Sequence, residues 1–167
     1  MKTIEVKLYE FNELSEEAKK RVLSDHYDIN TLDVWWRDMY EDAENIGLII
    51  MSFDIDRGSY VNANFKTSPA ETAEEIIKNH GETCDTYKTA MTFLSDLDIL
   101  TGQYPNIEDC PEDEIEALEE EFLTLLQKDY LKMLMEEYEH LTNDEAIIET
   151  LEANEYYFTE SGKMYNA

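Results

Sequence analysis

Positive charge is what this chain has least of. Thirteen lysines and arginines stand against forty aspartates and glutamates, a formal net charge of −27 over 167 residues. A surface so negative is repelled by nucleic acid and by anionic membrane, which excludes both as direct partners. Cysteine is almost as scarce. Cys84 and Cys110 alone fit a reduced intracellular protein better than a disulfide scaffold. No apolar run reaches bilayer-spanning length, and no charged start leads into an apolar stretch, so neither a membrane span nor a signal peptide is expected. There is no glycine-rich phosphate loop, no GxSxG elbow, no HExxH and no paired CxxC. The expectation is therefore a cytoplasmic protein that is not an enzyme, with no catalytic residues, no cofactor and no metal.

Core-forming residues are plentiful. The composition is 43% hydrophobic and 11% aromatic, too rich for a disordered acidic tail. The length predicts one domain over residues 1–167. A compact protein of this size is about 40 Å across. Duplex DNA carries about 24 phosphate charges over that distance, close to the charge of the chain. The competing explanation is a solubility coat, because net charge far from zero keeps proteins soluble and monomeric.

Alternation of Ile4, Val6 and Leu8 with Glu5 and Lys7 predicts a half-buried strand over Thr3 to Tyr9. Ser15 is placed to cap a helix running toward His26, and a second helix is expected from near Asp33 to Gly47. Met51, Phe53 and Ile55 alternate with Ser52, Asp54 and Asp56. An Arg57-Gly58 turn then leads to Val61, Ala63 and Phe65, a β-hairpin pattern. Ser68-Pro69-Ala70-Glu71 is a capping box with proline at the first helical position. A further helix is expected to carry Tyr87, Ala90, Met91, Leu94 and Leu97 and to end near Gly102. Pro111 opens a long helix through about Leu141, and Thr142 with Glu145 reads as a capping box for the next one. The chain closes in an expected hairpin, Tyr156 to Tyr165, turning at Ser161-Gly162. The fold class is α+β: a small antiparallel sheet with about six helices, one of them long, near 111–141.

The acid is unevenly spread. Residues 108–160 hold nineteen acidic side chains and only Lys128 and Lys132 as lysines or arginines. Nine of the acids fall within 108–121. The candidate partner-binding surface is Glu108, Asp109, Glu112, Asp113, Glu116, Glu119, Glu120, Glu121, Glu136, Glu137 and Glu139. A helix N-terminus favours carboxylates, which accounts for Glu112 and Asp113. It does not account for Glu119 to Glu121. Glu136, Glu137 and Glu139 approach a helix C-terminus, where lysine is preferred. An alternative surface is aromatic: Trp35, Tyr156 and Tyr157.

Two metal readings arise. His80 and Cys84 are four apart, but Gly81 breaks the helix that would align them. Asp54 and Asp56 share a strand face next to Asn62 and Asn64 across the hairpin, where four oxygens could hold a divalent ion. The solvent face of a two-stranded ribbon is polar by default, and that reading is preferred.

The segments YEFNELSEEAKKR (9–21), WWRDMYEDAENIG (35–47), FDIDRGSY (53–60) and IIETLEANEYYFTESGKMY (147–165) resemble a family of small acidic phage and prophage proteins. Members are sometimes labelled antitoxins of a toxin–antitoxin stability system. The resemblance covers most of the chain and carries over no catalytic residue. It implies a phage context, with action inside a bacterium. By analogy with acidic phage proteins that block host enzymes handling DNA or RNA, the expected function is anti-CRISPR or anti-restriction. The protein would be a non-enzymatic inhibitor whose DNA-mimic-like surface meets the basic groove of a host nuclease or CRISPR effector. The alternative is an antitoxin or other interaction module that binds by shape and aromatic contact.

Overall fold

A computed structural model describes residues 1–166. Among these described residues the fold is α+β, with six α-helices and one two-stranded antiparallel sheet. The elements are α1 (Glu16–Asp25), α2 (Arg37–Asn45), β1 (Leu48–Asp54), β2 (Tyr60–Phe65), α3 (Pro69–Asn79), α4 (Asp85–Thr101), α5 (Glu112–Thr142) and α6 (Asp144–Ala153). Short 3-10 turns occupy Phe11–Glu13 and Ile107–Asp109. The 31 residues of α5 extend about 46 Å at the α-helical rise. The chain divides into two compact units, 36–135 and 1–35 with 136–167.

In the unit 36–135, the hairpin presents one apolar face. Leu48 pairs with Phe65, Ile50 with Ala63 and Phe53 with Val61. The spacing from Ile50 to Phe53 is odd, so strict alternation would put them on opposite faces. A bulge between Ile50 and Ser52 absorbs the extra residue and returns Phe53 to the inner face. The expected inward set is corrected accordingly, since Met51 is the bulged residue and is exposed. Gly47 turns the chain from α2 into β1 at φ +91°, and a Cβ there would collide with Thr67 Oγ1. Beneath the sheet lie Ile76 of α3, Ala90 and Phe93 of α4, and Phe122, Leu126 and Tyr130 of α5, all buried. Phe93 and Phe122 stack with centroids 4.3 Å apart. Gln127 reaches β2 and accepts the Ala63 N–H at 2.9 Å, satisfying a buried strand donor with a side chain.

Ser68 accepts from Glu71 N–H and Pro69 opens α3, as the capping box predicts. The inner face of α4 is Thr86, Ala90 and Phe93, and Met91 is exposed. One helix start departs from expectation. Helix α2 begins at Arg37, four residues after Asp33, because residues 26–36 form successive turns.

In the other unit, Phe11, Leu14, Ala18, Val22, Ile147, Leu151 and Phe158 form one buried cluster. Ser15 caps α1 by accepting the Ala18 N–H at 3.2 Å. Asn143, not Thr142, caps α6, accepting from Ala146 N–H at 2.8 Å. Thr142 is still helical and returns its hydroxyl to the Tyr138 carbonyl. Asn30 donates to the Leu141 carbonyl at 2.9 Å and accepts from the Thr150 hydroxyl at 2.6 Å, tying a free end of α5 to α6.

The closing hairpin is present as Phe158 bridged to Met164, with Tyr165 N–H bonded to the Tyr157 carbonyl and Gly162 at φ +85°. The strand expected over Thr3 to Tyr9 does not form. Only Tyr9 is bridged, to Phe158, while Ile4, Val6 and Leu8 are exposed. Alternation supplies a strand with two faces but not with a partner. The hairpin turns away after Thr159 and offers no further residues to pair.

Candidate partner-binding surface

Consecutive residues on a helix diverge by about 100°, so the acids of α5 leave on different sides. Phe122, Leu126, Tyr130 and Leu134 form its buried stripe at four-residue intervals. Glu119 lies three residues before Phe122, on that same stripe, and is half-buried. Burial and the neighbouring Glu116 raise its carboxyl above the usual range. Glu116, Glu119 and Glu120 together line a shallow groove of about 260 Å³ floored by Phe65, Pro69 and Leu123. Glu121 departs on the side of α4, where it lines a separate cleft with Asp96, Thr89 and Phe93.

The other acids of the candidate surface are spread around this groove and beyond it. Glu112 and Asp113 are exposed in the first turn of α5. Glu108 and Asp109 are exposed in the preceding 3-10 turn. Glu136, Glu137 and Glu139 belong to the other unit, Glu137 half-buried, Glu136 and Glu139 exposed. The structure therefore gathers three of the eleven acids around one apolar groove. The groove's floor of Phe65, Pro69 and Leu123 was not among the sequence candidates. Its signal was the Ser68-Pro69 helix start directly following a strand that ends in phenylalanine.

The aromatic candidates also separate. Trp35 is half-buried with its ring 5.6 Å from that of Tyr138, so it contributes to packing. Tyr156 and Tyr157 are exposed and line a cavity of about 340 Å³ with Glu10, Phe11, Asn12, Leu151, Glu152 and Glu155. Helix α6 ends here in a Schellman motif. Glu155 N–H bonds to the Glu152 carbonyl, and Tyr156 N–H bonds to the Leu151 carbonyl. Glu155 occupies the left-handed position at φ +54°, where glycine is the usual residue. Among the described residues, the Glu152 and Glu155 carboxylates have no ion-pair or hydrogen-bond partner.

A polar chain links buried Thr86 and Tyr130 through half-buried His80 and Asp42. Thr86 Oγ1 lies 2.6 Å from His80 Nδ1, and His80 Nε2 lies 3.2 Å from Asp42 Oδ1. Tyr130 OH donates to Asp42 Oδ2 at 2.7 Å. An ionised carboxylate only accepts, which places a proton on Nε2. Burial pushes the Asp42 carboxyl up, but bonds from His80 and Tyr130 outweigh it and leave the group below its ordinary value. Burial and Asp42 push the Tyr130 phenol strongly up. Hydroxyl, imidazole and carboxylate in series have the composition of a nucleophile with its base and orienter. Thr86, however, is only 2% exposed, so no substrate reaches its hydroxyl. The chain of bonds holds α2, α4 and α5 together.

Neither metal reading gains support. His80 is committed to Asp42 and Thr86, while Cys84 is exposed just before α4. Asp54 Oδ1 accepts the Asp56 N–H at 2.7 Å and closes the turn. Asn62 stands opposite Ser52 and Asn64 opposite Ile49, so neither asparagine is paired with Asp54 or Asp56 across the hairpin. Among the described residues, no group of three His, Cys, Asp or Glu is arranged to hold a metal ion. No described helix is long and apolar enough to cross a membrane. Compared with protein-family models, curated proteins and solved structures, the chain matches none of them.

Proposed function

We propose that this protein is a non-enzymatic inhibitor that presents carboxylates to the basic, nucleic-acid-binding groove of another protein. The observation that carries the reading is the groove on α5, where Glu116, Glu119 and Glu120 surround Phe65, Pro69 and Leu123. A half-buried carboxylate beside a second one costs the fold stability. A basic side chain from a partner would relieve that repulsion while the apolar floor supplies contact area. The chain's −27 charge would draw a basic partner from a distance. With the phage resemblance, the reading becomes an inhibitor of a nuclease or CRISPR effector, acting in the bacterial cytoplasm.

The test is capture from bacterial lysate with the wild-type chain and a Glu116→Lys/Glu119→Lys/Glu120→Lys variant, followed by affinity measurement on the purified target. A nucleic-acid-handling enzyme whose affinity falls steeply with salt and is lost in the variant is the expected result. A target whose affinity is indifferent to both salt and charge reversal would sink the proposal.

A second reading rests on Tyr156 and Tyr157, exposed at the 340 Å³ cavity. An antitoxin or other interaction module would anchor there by aromatic contact. Capture of a single small toxin, abolished by Tyr157→Ala and unaffected by salt, would favour it.

A further inference from the structure

We propose that residues 3–9 are an edge through which two copies of this chain pair as antiparallel strands, centred on Val6. The segment has a strand's alternation, yet Ile4, Val6 and Leu8 are 74%, 52% and 37% exposed. No helix, turn or bend interrupts residues 1–8.

Backbone direction supports an open edge. Tyr9 both donates to and accepts from Phe158, at 2.9 and 2.8 Å. In an extended antiparallel strand, residues two apart send their N–H and C=O groups to the same side. Continuing the strand from Tyr9 therefore directs Thr3, Glu5 and Lys7 toward the Phe158 side. The groups of Ile4, Val6 and Leu8 go to the opposite edge, where they make no backbone hydrogen bond among the described residues.

The sequence of that edge complements itself. A two-fold axis at Val6 places Val6 against its own copy, Ile4 against Leu8, and Glu5 against Lys7. The Ile4–Leu8 and Val6–Val6 pairs are hydrogen-bonded in this register. The Glu5–Lys7 pairs are the non-hydrogen-bonded kind, whose side chains approach most closely. Each oppositely charged contact occurs twice by symmetry. Sliding the strands by two residues in one direction sets Glu5 against Glu5, and in the other sets Lys7 against Lys7. Like charges directly opposite are destabilising, so one register is selected. The segment is also a favourable place for two copies to meet. Residues 1–8 hold Lys2 and Lys7 against Glu5, in a chain whose net charge is −27.

A seven-residue ribbon is smaller than a standard interface, so the association is expected to be weak. The full chain would be examined by sedimentation in physiological salt at concentrations up to about 1 mM. Four variants would be compared: Glu5→Lys, Lys7→Glu, the double swap, and Val6→Pro, which removes the central N–H that each copy donates. The expected result is a dimer whose dissociation constant rises roughly tenfold in each single charge variant, because two symmetric pairs turn repulsive. The double swap should return to within about twofold of wild type, and Val6→Pro should be monomeric. The substituted side chains are exposed, so far-UV circular dichroism should be unchanged and serves as the folding control. A single-chain mass through the whole concentration range overturns the proposal. So does a double swap no better than either single variant, or a dimer indifferent to Val6→Pro.

Discussion

Tyr130 donates its hydroxyl to Asp42 at 2.7 Å from a ring that is entirely buried. The bond joins the middle of α5 to α2 and gives a half-buried carboxylate one of its partners. Removing it leaves Asp42 with His80 alone. Tyr130→Phe keeps the ring's packing and deletes only the donor. A hydrogen bond to a charged group contributes about 1.5–3 kcal/mol. The variant should therefore lose about 2 kcal/mol in urea unfolding, with an unchanged m-value.

The same carboxylate sets a pH dependence. Its folded pKa lies below its ordinary value, because bonds from His80 and Tyr130 exceed the opposing effect of burial. A depressed acid contributes stability that is fully present above its unfolded pKa, about 3.9 for aspartate, and is lost as pH falls through the folded value. Asp42→Asn cannot titrate. The stability gap between wild type and Asp42→Asn should shrink as pH falls below about 4. Paired unfolding curves below about pH 5 measure the gap, and a gap that widens as pH falls below about 4 contradicts the depressed pKa of Asp42.

Much of this framework was legible in the residues. Ser15, Ser68 with Pro69, and Pro111 mark helix starts by their own chemistry, and Gly47, Gly58 and Gly162 all adopt positive φ. What escaped depended on partners distant in sequence. Alternation over residues 3–9 could not show that Phe158 alone would be available for pairing. The bulge at Met51 is invisible locally, because only the opposite strand reveals which residue is extra. At the candidate site, the density of acid on α5 was evident, but its division between two sides of the helix followed from where Phe65 and Phe93 pack. The network around His80 joins positions 42, 80, 86 and 130, which no short motif encodes.

Glu119 makes stability and the proposed binding oppose each other. Its carboxyl is raised first by burial and then by Glu116. Glu119→Gln removes both penalties while keeping the shape. At pH 7 it should gain roughly 0.5 kcal/mol, the scale of a like-charge pair on a helix. A raised acid destabilises the fold above its unfolded pKa, so the gain should disappear as pH falls below about 4. The variant should bind a basic partner more weakly despite being more stable. Calorimetry alongside a binding assay tests both, and a variant that is less stable at pH 7 refutes the description of the groove.

Glu155 offers a similar separation in the second cavity. A non-glycine residue in the left-handed region at the end of α6 is strained, and glycine at that position of a Schellman motif is not. Both backbone bonds of the motif come from main-chain groups and survive any side-chain change. Gly also raises the entropy of the unfolded chain, which offsets part of the relief. Glu155→Gly should therefore stabilise by about 0.5–1 kcal/mol, a left-handed penalty of about 1–2 kcal/mol less an unfolded-state entropy effect of about 0.4–1 kcal/mol. Glu155→Ala retains the strain and should yield much less. If glycine and alanine behave alike in thermal unfolding, the strain does not reside in the backbone at this position. If glycine stabilises but also weakens capture through Tyr156 and Tyr157, the glutamate is retained for the partner at the expense of the fold, and the aromatic reading gains over the groove on α5.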